Sequence, residues 1–202
     1  SAPSTAFALT ILVPSVDLPV INPPPGNPVP AYPVAYSGPV AGLEHEYINI
    51  TTDNLNVSAA TDNWFIHTGD GNDAIAAHGG TNVLDGGNGS NFLSGGSGMD
   101  TFFLDQRVAT SDIWSTVVDF AAGEVVTLWG INRDGFVFDV QNNEGADGYR
   151  GLTLHVSAVD KPVTSLTLAG YSATDLLLGR VTAVFGTDAG SGSDFMSIFA
   201  NA

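Results

Sequence analysis

A nine-residue repeat spans residues 68–103 and constrains the fold more than any other feature of the chain. Its four units read TGDGNDAIA, AHGGTNVLD, GGNGSNFLS and GGSGMDTFF. They follow the frame G-G-x-G-x-D/N-x-apolar-x, in which a glycine-rich turn is followed by a polar residue and a short strand, although the first two units lack the leading double glycine. A flexible Gly/Asn linker rarely keeps its apolar position in phase, so the repeat predicts a regular stack of turns and strands.

Two positions of the frame carry its chemistry. The sixth position holds a side-chain oxygen in all four units: Asp73, Asn82, Asn91 and Asp100. The eighth position is always apolar: Ile75, Leu84, Leu93 and Phe102. Carboxylate, amide and main-chain carbonyl oxygens are the ligands that calcium prefers, because it is a hard cation that takes about six to eight oxygens. Each unit is therefore predicted to supply half of a metal site and one core residue.

Residues 68–103 resemble the repeats of the RTX family, a group of secreted bacterial proteins named for such nonapeptides. The resemblance implies an all-β fold, namely a short parallel β-roll of calcium-binding repeats with a β-rich C-terminal capping domain. It also implies export by the type I secretion machinery and folding on calcium binding outside the cell. We therefore expect a secreted, extracellular protein that binds Ca²⁺.

In that family each calcium ion is held between repeats eighteen residues apart, which implies two sites in this chain. The first site would take Gly69, Gly71 and Asp73 together with Gly87, Gly89 and Asn91. The second would take Asn82, with the carbonyls near Gly79 and Gly80, together with Gly96, Gly98 and Asp100. Each site then has one carboxylate and one amide, whereas the family prefers Asp. Because fewer charged ligands weaken calcium binding, we expect an affinity in the extracellular range.

Charge and composition restrict the partners of the chain. The formal net charge is −16 over 202 residues, from 17 Asp, four Glu, four Arg and one Lys. So acidic a chain favours bound cations and has no basic patch to neutralise phosphates, so we expect no nucleic-acid partner. Cysteine is absent, which excludes disulfides and thiolate metal sites. The apolar stretch at residues 6–16 is short and interrupted by Pro14, so we expect no membrane insertion and no signal peptide there.

Composition divides the chain into four parts. Residues 1–40 hold ten of the eleven prolines and are predicted to form an extended arm or linker. Residues 41–67 contain short apolar runs that we interpret as N-terminal cap strands, within which Asn63 and Phe65 look like a degenerate fifth unit. Residues 68–103 are the β-roll. Residues 104–202 contain runs such as EVVTLWGI, GLTLHVS and RVTAVFG, which predict a β-rich C-terminal domain with one two-turn helix at 172–180.

Two segments of the C-terminal part carry further interpretations. Residues 100–131, in which Asp119-Phe120 and Gly123-Glu124 precede an apolar run, resemble the segment that commonly succeeds the repeats in RTX proteins. The tail SDFMSIFANA resembles the uncleaved export signal of type I substrates, and a buried closing strand is the alternative. The sequence leaves open whether this part holds its own calcium ion, for which the candidates are Asp105, Asp112 and Asp119.

No motif of a common enzyme class is present: neither a G-x-S-x-G elbow, nor H-E-x-x-H, nor a phosphate-binding loop. The four histidines are scattered without ligand spacing, and we expect no catalytic activity. The alternative function is a calcium-dependent module that binds a glycan or a cell surface, with an aromatic face drawn from Trp64, Trp114, Trp129, Tyr47, Tyr149 and Tyr171. Core packing is the competing interpretation of these residues. A third interpretation is the non-catalytic tail of a secreted hydrolase.

Overall fold

The chain folds almost entirely into β-strands. A computed structural model describes Val16–Asp17 and residues 40–202, and these contain seventeen strands and one short helix. The predicted all-β class is therefore confirmed. The predicted proline-rich arm at residues 1–40 and the apolar stretch at 6–16 lie almost wholly outside the described residues.

The first sheet has eight strands and becomes antiparallel only at one end. In spatial order the strands are β1 (Val16–Asp17), β3 (Asn56–Ser58), β5 (Ala74–Ala76), β8 (Gly89–Ser94), β11 (Ile113–Val117), β15 (Thr164–Ala169), β14 (Gly151–Ser157) and β13 (Val137–Glu144). Every neighbouring pair from β1 to β15 is parallel. The last two pairs, β15 with β14 and β14 with β13, are antiparallel.

The second sheet has seven strands and the same polarity pattern. In spatial order they are β16 (Val181–Thr187), β17 (Asp194–Ala200), β12 (Val125–Trp129), β10 (Thr101–Asp105), β7 (Val83–Asp85), β4 (Trp64–His67) and β2 (His45–Ile48). The pairs that involve β17 are antiparallel and the others are parallel. Two short strands, β6 (Gly79–Gly80) and β9 (Ser97–Gly98), form a separate parallel pair.

Strands of the repeat pair with strands eighteen residues away, so that consecutive units alternate between the two sheets. The aligned residues are Val57, Ile75 and Leu93 in the first sheet and Ile66, Leu84 and Phe102 in the second. All six are at most 2% exposed. The prediction that the eighth position of each unit lies in the core is therefore confirmed. Two units complete one circuit of the chain, and the next circuit stacks beside it.

The same stacking continues on both sides of the repeat. After the repeat, Leu93 is aligned with Val117 of β11, and Phe102 with Val126 of β12. More residues separate the aligned strands there than in the repeat, but both sheets continue. Before it, the degenerate unit is shifted by one residue from the prediction. Ile66, rather than Phe65, is aligned with the eighth position of a later unit.

The shift has a physical reason in strand β4, where three consecutive apolar residues are all buried. Trp64 and Ile66 belong to the main core, which both sheets share. Phe65 points to the opposite face of the second sheet, because neighbouring residues on a strand alternate sides. There it packs in a smaller cluster of buried residues: Leu43, Phe65, Val83, Phe103 and Trp129. Because both faces of β4 are covered, its residues do not alternate between apolar and polar. The sequence pattern therefore cannot show which of them points into the main core.

The C-terminal half is rich in strands, as predicted, and includes the predicted helix as α1 (Ala173–Leu177). Ser172 caps the helix from the preceding position, and its backbone amide and hydroxyl both donate to the Asp175 carboxylate. The tail forms β17, which lies between β16 and β12 and buries Met196 and Ile198. A closing strand is thus confirmed with Ile198 buried, but Phe199 is 36% exposed and Phe195 is only partly buried. The export-signal interpretation stays a prediction. No helix in the described part of the chain is long and apolar enough to cross a bilayer.

Candidate metal centre

The sixth-position side chains lie inside the turns of the repeat and hydrogen-bond between circuits. All four are at most 1% exposed. The Oδ1 atom of each accepts a hydrogen bond from the backbone amide eighteen residues earlier. The donor and acceptor residues are Leu55 and Asp73 (2.7 Å), Trp64 and Asn82 (2.9 Å), Asp73 and Asn91 (3.0 Å), and Asn82 and Asp100 (2.9 Å). Two ladders of side-chain-to-backbone bonds therefore join the circuits, one on each side of the stack.

Glycines of successive turns lie in direct contact. A Cβ atom added to any of four glycines would overlap a carbonyl oxygen of the preceding circuit, so only glycine fits. The contacting pairs are Gly87 with Gly69, Gly89 with Gly71, Gly98 with Gly80, and Gly96 with His78. The structure thus brings together three of the predicted glycine pairs, whereas Gly96 meets His78 rather than Gly79.

The two asparagine turns are closed by their own side chains. The Nδ2 group of Asn82 donates to the carbonyl of Gly79 at 2.8 Å. The Nδ2 group of Asn91 donates to the carbonyls of Gly87 and Asn88 at 3.4 and 3.3 Å. Both ends of each amide are therefore engaged within the protein, and the turn carbonyls have donors.

The two aspartate turns lack this closure. The Oδ2 atoms of Asp73 and Asp100 are buried and accept no hydrogen bond, although Oδ1 of each does. Burial raises the pKa of both carboxyl groups above the ordinary value for aspartate. A buried oxygen without a donor costs roughly 1–3 kcal/mol, and more if it is charged. A cation in the turn would remove that cost.

The aspartate turns present oxygens where the asparagine turns present an amide. Asn91 donates to the carbonyls at the second and third positions of its own unit. The same positions hold Gly69 and Asp70 in the first unit and Gly96 and Ser97 in the fourth. Oδ2 of Asp100 lies against Gly95, the first residue of its own unit. In these two turns the sixth side chain adds an oxygen rather than an amide donor, and the carbonyl of Gly69 accepts from the amide of Asn88 at 2.8 Å. That donor chemistry fits calcium, which accepts main-chain carbonyls and flexible geometry.

Further carboxylates surround the Asp100 turn. Asp119, from the loop after β11, accepts hydrogen bonds from the hydroxyl of Ser94 and the amides of Gly95 and Gly96. Glu124 is 2% exposed and lies against Asp100. Burial, together with the charges of Asp100 and Asp119, raises the pKa of Glu124 to about 7. No comparable acidic neighbour raises the pKa of Asp73.

Glu124 was absent from the sites inferred from the sequence, and Asp119 was considered only for a separate ion. Both belong to the Asp-Phe and Gly-Glu pairs of residues 119–124, which was the available signal. Their position depends on the longer circuit between β10 and β12, which the nine-residue spacing does not predict. Asp105 lies elsewhere, paired with Arg107 at 2.6 Å. Asp112 accepts a hydrogen bond from the amide of Val163 at 2.7 Å.

The described residues include no group of three or more His, Cys, Asp or Glu side chains arranged to hold a metal ion. An ion in these turns would therefore draw most of its ligands from the main chain. Calcium tolerates such a set, whereas transition metals favour imidazole and thiolate.

Three polar side chains form a hydrogen-bonded row across the antiparallel end of the first sheet. His155 lies between two partners, with Nε2 2.7 Å from Oε2 of Glu144 and Nδ1 2.8 Å from the hydroxyl of Ser165. The order resembles that of a nucleophilic triad, but Ser165 is only 4% exposed, so substrate cannot reach its hydroxyl. The row joins strands β13, β14 and β15.

Of the aromatic residues that could form a binding face, two tryptophans lie in the core. Trp64 is 1% and Trp129 2% exposed. Trp114 is half-buried on the outer face of the first sheet, and its Nε1 donates to Thr167 at 2.9 Å. Tyr149 is 46% exposed and meets the ring of Phe92 edge to face.

Comparison with models of known protein families gives no match, and no curated protein matches the chain.

Proposed function

We propose that this chain is a calcium-binding module whose folding is completed by calcium. The observation that carries the proposal is the pair of buried carboxylate oxygens, Oδ2 of Asp73 and Oδ2 of Asp100, that accept no hydrogen bond inside tightly stacked glycine turns. A carboxylate among turn carbonyls is a donor set that suits calcium. The net charge of −16 also favours cation binding.

The proposal includes the finer description of the fold as a short parallel β-roll with a β-rich C-terminal cap. Eighteen-residue pairing, alternation of units between two sheets and a shared core all support this description. In such a stack each circuit contacts only its neighbours, so stability is roughly a sum of interfaces. An ion between circuits would therefore strengthen the interface on which the next circuit packs.

The two turns should differ in affinity. Asp100 has Glu124 and Asp119 beside it, whereas Asp73 has the Thr68 hydroxyl and no second carboxylate beside it. Negative charges close to a site attract a cation even where they do not bind it directly. We assign the tighter site to the Asp100 turn and the weaker site to the Asp73 turn.

Calcium that binds only the folded state stabilises it by RT ln(1 + [L]/Kd), which is about 1.4 kcal/mol per site at ten times Kd. Domains are stable by only about 5 to 15 kcal/mol, so the stabilisation from two sites is a large part of the free energy of unfolding. We place this coupling in a secreted protein exported by type I secretion. At low calcium inside the cell the carboxylates repel one another and the stack stays loose, and calcium outside the cell orders it.

The test is a calcium titration of chelator-treated protein, followed by far-UV circular dichroism and calorimetry. We expect a cooperative gain of β-signal with about two ions bound, and no equivalent response to magnesium, which requires a stricter octahedral site. Asp100→Asn should remove the tighter ion and Asp73→Asn the weaker one.

Asp139→Asn is the matched control, because this exposed strand residue carries the same charge away from the turns. It should titrate like the wild type. A chelated protein that is already fully folded and takes up no calcium would contradict the proposal. Unchanged stoichiometry in both turn variants would contradict the site assignment alone.

A further inference from the structure

The two sheets separate at their last edge and leave an open cleft. Strand β13 ends the first sheet and β16 ends the second, so each has one side that no other described strand pairs with. Between them is a cleft of about 270 Å³, open to solvent, which is just below the usual size range of small-molecule sites and suits a slender ligand. Helix α1 contacts both edge strands but does not close it. The main core is thus accessible from one side.

The lining of the cleft is apolar with a single exception. It includes Phe138, Leu154, Leu168, Leu176, Phe185 and Met196. Leu168 and Met196, which are at most 2% exposed, form part of the inner surface, and Val140 and Ala183 on the edge strands are exposed at the rim. The exception is Arg133, whose guanidinium carbon lies 5.2 Å from the ring centroid of Phe185.

Arg133 differs from the other arginines in having no carboxylate partner within the described part of the chain. The other three each lie within 3.2 Å of an aspartate: Arg107 with Asp105, Arg150 with Asp147, and Arg180 with Asp175. No ion pair within 4.0 Å involves Arg133 among the described residues, although the chain has 21 acidic residues. A cation left unpaired in so acidic a protein, at the mouth of an apolar cleft, is complementary to an anionic group from outside.

We propose that this cleft binds a single-chain amphiphile, a free long-chain carboxylate whose hydrocarbon tail lies between the sheets and whose head pairs with Arg133. The planar guanidinium matches a carboxylate with two parallel hydrogen bonds. Burial of the tail removes apolar surface of both ligand and cleft from water. The site is separate from the glycine turns, so it stands or falls independently of the calcium sites.

The test uses decanoate as the probe, titrated by calorimetry into the full chain at submillimolar concentrations that keep its calcium salt in solution. Decanol and decyltrimethylammonium carry the same tail with a neutral and a cationic head. We expect saturable 1:1 binding of decanoate, weaker binding of decanol and weaker still of the cation. Arg133→Gln should weaken decanoate about tenfold and leave decanol unchanged. Arg150→Gln, which removes an equal charge elsewhere, should bind like the wild type.

Two further variants test the location. Ala183→Trp fills the cleft from an exposed position and should abolish binding. Val140→Glu places a carboxylate at the rim and should repel decanoate more than decanol, which keeps the test decisive if the larger variant misfolds. The proposal is overturned if decanoate fails to saturate, or if both variants bind normally. It is also overturned if sedimentation shows a stable dimer that Ala183→Trp disperses, because a second copy of the chain would then occupy the cleft.

Discussion

The backbone amide of Asp73 donates to Oδ1 of Asn91 at 3.0 Å, so one side chain joins two circuits that are eighteen residues apart. The same bond recurs with an aspartate as acceptor, from the amide of Asn82 to Oδ1 of Asp100. The ladder therefore does not depend on which of the two residues stands at the sixth position. The difference lies in the second atom of the side chain, a donor in asparagine and an unpartnered oxygen in aspartate.

Asn91→Asp should convert a turn whose carbonyls accept hydrogen bonds from the side chain into one that contains a carboxylate oxygen without a donor. The change removes the amide that donates to the carbonyls of Gly87 and Asn88 and buries another carboxylate. We expect the free energy of unfolding in chelator to fall by about 1–3 kcal/mol, and calcium to restore more than it does in the wild type. Denaturant unfolding with and without calcium measures both effects.

The matched control is Asn72→Asp, because Asn72 is exposed and its Oδ1 accepts only from the amide of Ser90, as a carboxylate oxygen can. It should change neither quantity by much. If Asn91→Asp unfolds like the wild type in both conditions, the closing role of the amide is wrong.

Glu124→Gln should stabilise the calcium-free protein in a pH-dependent way. The pKa of Glu124 is raised in the folded state to about 7 from an ordinary value of 4.5, so its ionisation opposes folding. The cost is absent below pH 4.5, grows as the pH rises and is complete above about 7. In chelator, the variant should thus gain stability over the wild type at pH 8 and not at pH 4.

With calcium the order should reverse, since the tighter ion loses a neighbouring charge. Glu44→Gln, at an exposed position, serves as the control. A stability difference that is the same at both pH values would show that the Glu124 carboxyl is not buried as described.

Gly87→Ala should be more damaging than positive φ alone can explain. Gly87 has φ +66°, and an added Cβ would overlap the carbonyl of Gly69. Gly179 has φ +72° with no atom within 4 Å of an added Cβ. Gly179→Ala should therefore cost about 1–2 kcal/mol from backbone strain, and Gly87→Ala clearly more. Thermal unfolding of both variants in saturating calcium compares them, and equal losses would mean that the turns are not stacked this closely.

Leu93→Ala should destabilise the protein at every calcium concentration. Leu93 is 0% exposed and lies in the core that the two sheets share, so its truncation should cost about 2–5 kcal/mol. Leu177 is 86% exposed, and Leu177→Ala should change stability by less than about 0.5 kcal/mol. Denaturant titrations in chelator and in calcium provide the comparison. A Leu93→Ala variant as stable as the wild type would contradict the register.

The repeat was enough to place the core residues of four units, because a strict nine-residue period fixes which position turns inward. It did not fix the unit before, where Trp64, Phe65 and Ile66 are all buried, although Ile66 keeps the nine-residue step to Ile75. Glu124 was out of reach for a different reason, since a non-periodic loop brings it to Asp100. The cleft beside Arg133 depends on how two sheet edges diverge, which no local pattern encodes.

The alternation of units between two sheets also sets how the length of such a protein can change. Deleting one nine-residue unit would move every later strand to the opposite sheet and place Asp100 on the side now held by Asn91. Deleting two would remove one circuit and leave both ladders in phase. Proteins built this way should therefore differ in length by multiples of eighteen residues. An insertion or deletion of an odd number of nine-residue units would exchange the two sheets for every later strand.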